Sequence, residues 1–196
     1  MHALIVVAHH DPQSLTHSVA ARIAESISSA ADQHSCEIAD LFQEGFDPRY
    51  TALDHAVYHR TATPSADIVK EQQRIDQADA LVLVFPVYWW SMPALLKGWI
   101  DRVFANGWAF DFGVENPESC KLRNLRVHLV GLGASSAQAY ARHRYDEAIK
   151  TQIEHGIFDY CGAQVVSSNL LHESESGTAE AHLDKAAHIG RSLFAR

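Results

Sequence analysis

The chain has 196 residues, of which 47% are hydrophobic, and carries a formal net charge of -8. That length suits one domain over residues 1–196, and the apolar content is too high for a disordered chain. The acidic balance disfavours nucleic-acid and anionic-membrane partners, which need basic patches, but leaves room for a small anionic cofactor held by backbone amides.

Ala3 to Ala8 is a continuous apolar run, the pattern of a strand covered on both faces. With no basic flank or small-residue cleavage site, it reads as a first buried strand and not as a signal peptide. Ser18 to Ala31 carries Val19, Ile23 and Ile27 at four-residue spacing, a helix with one buried stripe. Cys36 to Leu41 is a second short strand, and Asp67 to Gln77 a helix with Ile68 and Ile75 inward. Ala80 to Pro86 is the third and most apolar strand, far shorter than the roughly 20 residues of a membrane span. Pro93 to Phe104 forms the next helix, with Leu96, Ile100 and Val103 inside and Ser91 as its expected cap. Leu125 to Gly131 is strand four, about Arg142 to Tyr160 a long helix, Gln164 to Ser167 strand five, and Thr178 to Phe194 the closing helix.

Strands alternating with helices imply a parallel sheet wound with right-handed crossovers. Five such units match an α/β, doubly wound, five-stranded sheet of flavodoxin-like order 2-1-3-4-5. Two segments exceed ordinary connections, Phe42 to Ala66 and Ala105 to Asn124, and such segments are usually functional or interfacial. In the second, the rings of Trp108, Phe110 and Phe112 have no evident place in a sheet already covered on both faces. Cys36, Cys120 and Cys161 are odd in number and widely spaced, so a reducing, cytoplasmic setting is expected.

Ligands of an open parallel sheet bind outside the carboxyl ends of its strands. Three loops meet there. In His9 to Thr16, Ser14 and Thr16 can cap the following helix or offer hydroxyls to a phosphate, and neither use is favoured by the loop alone. No GxGxxG or P-loop is present. His9 and His10 should point apart as neighbours on an extended chain, so no metal site is expected. Pro86-Val87-Tyr88-Trp89-Trp90 sets three large aromatics beyond a buried strand, suited to a flat conjugated ligand or to a hydrophobic plug or dimer contact. Gly131 to Tyr140 opens with Gly131-Leu132-Gly133-Ala134, a small loop that allows close backbone approach or a simple turn.

The run from Phe85 to Phe104, FPVYWWSMPALLKGWIDRVF, resembles the signature of the NAD(P)H:quinone oxidoreductase family. That family includes the mammalian quinone reductases and the ancillary subunits of bacterial glutathione-gated potassium efflux systems. Val7-Ala8-His9, Trp108-Ala109-Phe110 and Tyr160-Cys161-Gly162 extend the resemblance over nearly the whole chain. It implies a tightly bound FAD or FMN, NADH or NADPH as co-substrate, and a quinone-type acceptor. By position it puts His9, Ser14, Leu15 and Thr16 at the flavin phosphate or ribityl end. Pro86, Val87, Tyr88, Trp89 and Trp90 would wrap the isoalloxazine, with Gly133 and Ala134 along its edge, where relatives often read Thr-Thr-Gly-Gly. His143 matches an active-site histidine, with Tyr140 as its partner. Phe110 and Phe112 would reach across a homodimer interface to cover the partner's flavin. The alternative reading is a regulatory ancillary subunit on a potassium efflux transporter.

Overall fold

The computed structural model describes residues 1–30, 33–112, 121–172 and 179–195. Ala31, Cys120, Thr178 and the middle of the 105–124 segment lie outside the described residues. Five strands form one sheet: β1 (His2–Val7), β2 (Ser35–Asp40), β3 (Ala80–Pro86), β4 (Arg126–Gly133) and β5 (Gln164–His172). All neighbours pair in parallel, in the order β2-β1-β3-β4-β5. The helices are α1 (Leu15–Ala30), α2 (Ala52–Tyr58), α3 (Ala66–Asp76), α4 (Ala94–Val103), α5 (Ala137–His143), α6 (Tyr145–Ile149) and α7 (Ala179–Ser192).

The sheet is apolar on both faces because both are covered. On one face Ile5, Val7, Val82, Val84 and Val130 pack against Val19, Ile23 and Ile27 of α1 and Ile189 and Leu193 at the end of the chain. Gly190 lets α7 lie directly on α1, since a Cβ there would sit 2.5 Å from the Ile23 carbonyl oxygen. On the other face Leu4, Val6, Leu81, Leu83 and Leu129 meet Ile68 and Ile75 of α3, and Leu96, Ile100 and Val103 of α4.

Five expectations change. The single helix over 142–160 is broken: α5 ends at His143, Arg144 takes a left-handed φ of 58°, and α6 is followed by a π-helical stretch, Lys150–Asp159. β5 runs on to His172, and Leu132 and Gly133 belong to β4 rather than to a loop. The 42–66 segment contains α2, opened by a reciprocal Thr51–Asp54 capping box. Buried Arg102 fixes this segment to α4 through Asp54 at 3.2 Å and the Asp47 carbonyl at 2.8 Å. Finally, Trp108 and Ala109 are buried in the core of their own chain, with Trp108 edge-on to Phe104. The segment after α4 folds back because its first ring fills the α4 side of the sheet.

Candidate active site

β1 delivers the chain to the amino end of α1. Asp11 shapes the connection, accepting the Gln13 amide at 2.9 Å and donating its own amide to His9 Nδ1 at 3.0 Å. Ser14 caps α1, its Oγ accepting the His17 amide at 3.3 Å. The Leu15 and Thr16 amides belong to the first turn, which has no intrahelical acceptor for them. His9 and His10 do not point apart: the chain turns, and their rings stack at 4.7 Å. Burial, then the neighbouring His10, holds the His9 imidazole below its ordinary pKa.

β3 ends at Pro86, and Val87 donates to the Leu132 carbonyl at 2.8 Å. Tyr88 and Ser91 exchange two backbone hydrogen bonds of 3.0 Å, and between them Trp89 and Trp90 have φ of 50° and 61°. Two positive φ values inside a reciprocal pair make a type I′ turn, which normally takes Asn-Gly. Two tryptophans there cost on the order of 1–3 kcal/mol each, a cost that recurs at functional sites. Trp89 is 92% exposed. Trp90 lies flat on Tyr145, with ring centroids 3.6 Å apart and planes 10° apart, and meets Tyr140 edge-on at 5.3 Å. Ser91 does not cap α4. It bonds the Gln152 side chain instead, and Pro93 holds the cap position.

After β4, Ser136 caps α5 by accepting the Ala139 amide at 3.3 Å. Gly133 is needed for a reason other than ligand approach, since a Cβ there would lie 2.8 Å from the Tyr140 hydroxyl. Tyr140 is only 2% exposed, and burial raises its pKa. His172 Nδ1 donates to the Ser135 carbonyl at 2.8 Å and turns its ring edge toward Tyr140 at 4.8 Å. Val87, Trp89, Trp90, Ala134, Ser135 and Tyr140 line a cavity of about 120 Å³. The second and third sequence-predicted loops therefore share one cavity.

His143 sits exposed at the end of α5, with its ring on Tyr145 at 5.2 Å. Tyr145 also lies 6.1 Å from Tyr140, so it joins the two residues expected to act together. Phe110 and Phe112 are elsewhere. Phe110 lies between Tyr58 at 6.5 Å and Tyr160 at 5.6 Å, and Phe112 is 65% exposed. Phe110, Tyr58 and Tyr160 line a second cavity of about 240 Å³, whose lining also includes Asp54 and Arg102.

Sequence reasoning missed Tyr145, because nothing in Arg142-His143-Arg144-Tyr145 marks a left-handed break. It also missed His17 and Asp40. The signal for these was an acidic residue closing β2, since the order 2-1 places that strand end beside the loop leading into α1.

The residues present fit a flavin. The capped end of α1 offers amides and a hydroxyl to a phosphate. The tip of the I′ turn presents two peptide groups and two indoles beside a buried tyrosine, as a flat, polar-edged ring requires.

The family described as having a flavodoxin-like fold matches residues 1–192. The chain is 30% identical over 188 residues to ribosyldihydronicotinamide dehydrogenase (quinone) of Mus musculus, covering 85% of this chain and 79% of that relative. It is 30% identical over 193 residues to an uncharacterized NAD(P)H oxidoreductase of Haemophilus influenzae, covering 95% and 93%. In fold it is similar to the solved NAD(P)H:quinone oxidoreductase from Methanothermobacter marburgensis, with a TM-score of 0.87 over 100% of this chain and 97% of that one at 24% identity.

Proposed function

The chain belongs to the flavodoxin-like fold family and, within it, to the NAD(P)H:quinone oxidoreductases, and from that premise we propose how its own residues carry the activity. It is a flavin-dependent oxidoreductase that uses NAD(P)H to reduce quinones. The observation that carries the site assignment is the strained Trp89-Trp90 turn facing Tyr140 at the carboxyl ends of β3 and β4.

The flavin, FAD or FMN, supplies two-electron transfer between NAD(P)H and the quinone in alternating half-reactions. The chain's residues bind and orient. His9, Ser14 and the Leu15 and Thr16 amides hold the phosphate end. Pro86 through Trp90 shape the ring site, with Ala134 at its edge and Gly133 making room for Tyr140. Burial keeps the Tyr140 hydroxyl protonated, so Tyr140 acts as a hydrogen-bond donor and not as a base. That donor, with a ring N–H of His143, stabilises charge developing on a quinone oxygen.

The working unit in this reading is a homodimer. Trp89 and Phe112 are exposed, and Phe110 lines a cavity separate from the one beside Trp90. A second copy would bring its Phe110 and Phe112 over the first copy's ring site. The reading also places the protein in the cytoplasm, and among the described residues Cys36 and Cys161 form no disulfide. Among the described residues no helix is long and apolar enough to cross a membrane. A role as an ancillary transporter subunit is not favoured, because the relatives above are named as dehydrogenases and oxidoreductases.

The test is direct: purified protein is titrated with FAD and FMN, then assayed with NADH or NADPH and a benzoquinone. Binding of one flavin per chain and quinone reduction are expected. No binding of either flavin at micromolar concentration would falsify the reading.

A further inference from the structure

Asp40, His17 and Ser14 form a chain of hydrogen bonds beside the first turn of α1. His17 Nε2 lies 2.7 Å from Asp40 Oδ2, and its Nδ1 lies 2.9 Å from Ser14 Oγ. A carboxylate only accepts, so Nε2 carries a hydrogen. When the ring is neutral, Nδ1 is then a bare acceptor, and the Ser14 hydroxyl gives its single hydrogen to it. When the ring is an imidazolium, both nitrogens donate. Ser14 Oγ then accepts from Nδ1, and its own hydrogen is free to turn outward. The Ser14 oxygen accepts the His17 amide in both states.

We infer that this chain couples capture of the cofactor's phosphate to uptake of a proton by His17. Asp40 and His17 are positioning residues that decide whether Ser14 donates inward to a ring or outward to an anion. The inference rests on the reading that Ser14 lies at the phosphate end of the flavin. On binding, a solvent proton goes to His17 Nδ1, and the Ser14 hydrogen swings from that nitrogen to a phosphate oxygen. No other bond changes. The groups facing His17 are Asp40, Ser14 and His9, which is edge-on at 6.2 Å. His9 in turn carries His10 on its face and the Asp11 amide on its Nδ1. His9 and His10 are therefore the rival acceptors of any proton taken up.

Calorimetric titration with FMN and, in parallel, FAD in two buffers of different ionisation enthalpy counts the protons taken up per flavin bound. At about pH 7.5 the FMN phosphate is already close to doubly charged, its second pKa being about 6. Wild-type protein should take up protons on binding either flavin, seen as a buffer-dependent binding enthalpy. His17→Gln and Ser14→Ala should each reduce that uptake at least about threefold, whereas His9→Gln and His10→Gln keep most of it. Riboflavin lacks the phosphate and should bind without proton uptake, and its binding to each variant reports an intact ring site. Zero uptake in the wild type, or equal uptake in His17→Gln, overturns the inference and leaves the flavin reading standing. Failure of FMN, FAD and riboflavin all to bind the wild type overturns that reading, and the inference with it.

Discussion

Tyr145 lies face to face on Trp90, with ring centroids 3.6 Å apart and planes 10° apart. Tyr145 is also stacked with His143, at 5.2 Å. One ring on a short helix thus supports both the proposed ring site and the proposed histidine. An aromatic pair of this kind contributes about 0.5–1.5 kcal/mol beyond its buried area. Tyr145→Ala should therefore weaken flavin binding by roughly 2- to 10-fold, and Tyr145→Phe should not. Fluorescence titration of both variants decides it: equal affinity in Tyr145→Ala and wild type would remove the support role.

The strain at the turn gives a prediction of opposite signs. Trp89→Gly places glycine where φ is 50°, which glycine adopts without cost. The apo protein should gain about 1 kcal/mol of stability, while flavin binding weakens by about 1–3 kcal/mol from the lost indole. Urea unfolding without cofactor and flavin titration read the two effects separately. A variant that loses stability would show that the turn is not strained.

Gly133 and Tyr140 should be coupled. Gly133→Ala forces its new methyl against the Tyr140 hydroxyl, with a cost of about 1–3 kcal/mol. In a Tyr140→Phe background the hydroxyl is gone, and the cost of the alanine should shrink by more than half. A double-mutant cycle on unfolding free energy measures this, and additive costs would contradict the packing.

His143→Ala and Tyr140→Phe should each slow quinone reduction by about 10- to 1000-fold, with flavin content nearly unchanged. Stopped-flow separation of the two half-reactions locates the defect. Unaltered rates in both halves would leave His143 an ordinary residue at a helix end. Phe110→Ala with Phe112→Ala should impair acceptor reduction more than flavin binding, and sizing should give a dimer. A fully active monomer would exclude the shared site.

His128 sets an acid limit on the fold. It is buried on β4, with Nδ1 2.9 Å from Ser167 Oγ and no partner at Nε2 among the described residues. Burial first, and then Arg126, pushes its pKa down to about 4. Its folded value lies below the unfolded one, so its contribution is full above about pH 6.5. As pH falls from there toward 4, the unfolded chain takes a proton that the folded chain refuses, and about 3 kcal/mol is lost. His128→Gln keeps a polar side chain without that titration, so its unfolding free energy should fall less over the same window. Parallel curves for the two proteins would assign the acid loss to other groups.

The fold was legible where apolar runs are continuous, as in Ala80 to Pro86, whose bounds the sequence marks without error. It was less legible at β5. The outer residues Ser168 and Asn169 read as polar loop, yet they pair with Leu129 and Val130 of β4. Edge strands alternate with water, and a four-residue apolar test stops too soon. The aromatic run after β3 suits a flat ligand, a hydrophobic plug or a dimer contact. It did not announce a hairpin turn, because Trp-Trp lacks the usual turn residues. The contact of Trp90 with Tyr145 is made through tertiary structure and has no local signature, and that of His17 with Asp40 is legible only once the strand order is known.

The strand order has a consequence for synthesis on the ribosome. β1 is made well before β3, yet it pairs with it, with Ala3 opposite Ala80. The Val19, Ile23 and Ile27 stripe of α1 waits longer still, since Gly190 and Leu193, which follow all five strands in the chain, close over that face. A nascent chain therefore carries an uncovered apolar helix until α7 has emerged. Chaperone dependence during translation should fall on α1, and C-terminal truncations that remove α7 should leave an aggregating chain and not a smaller folded one.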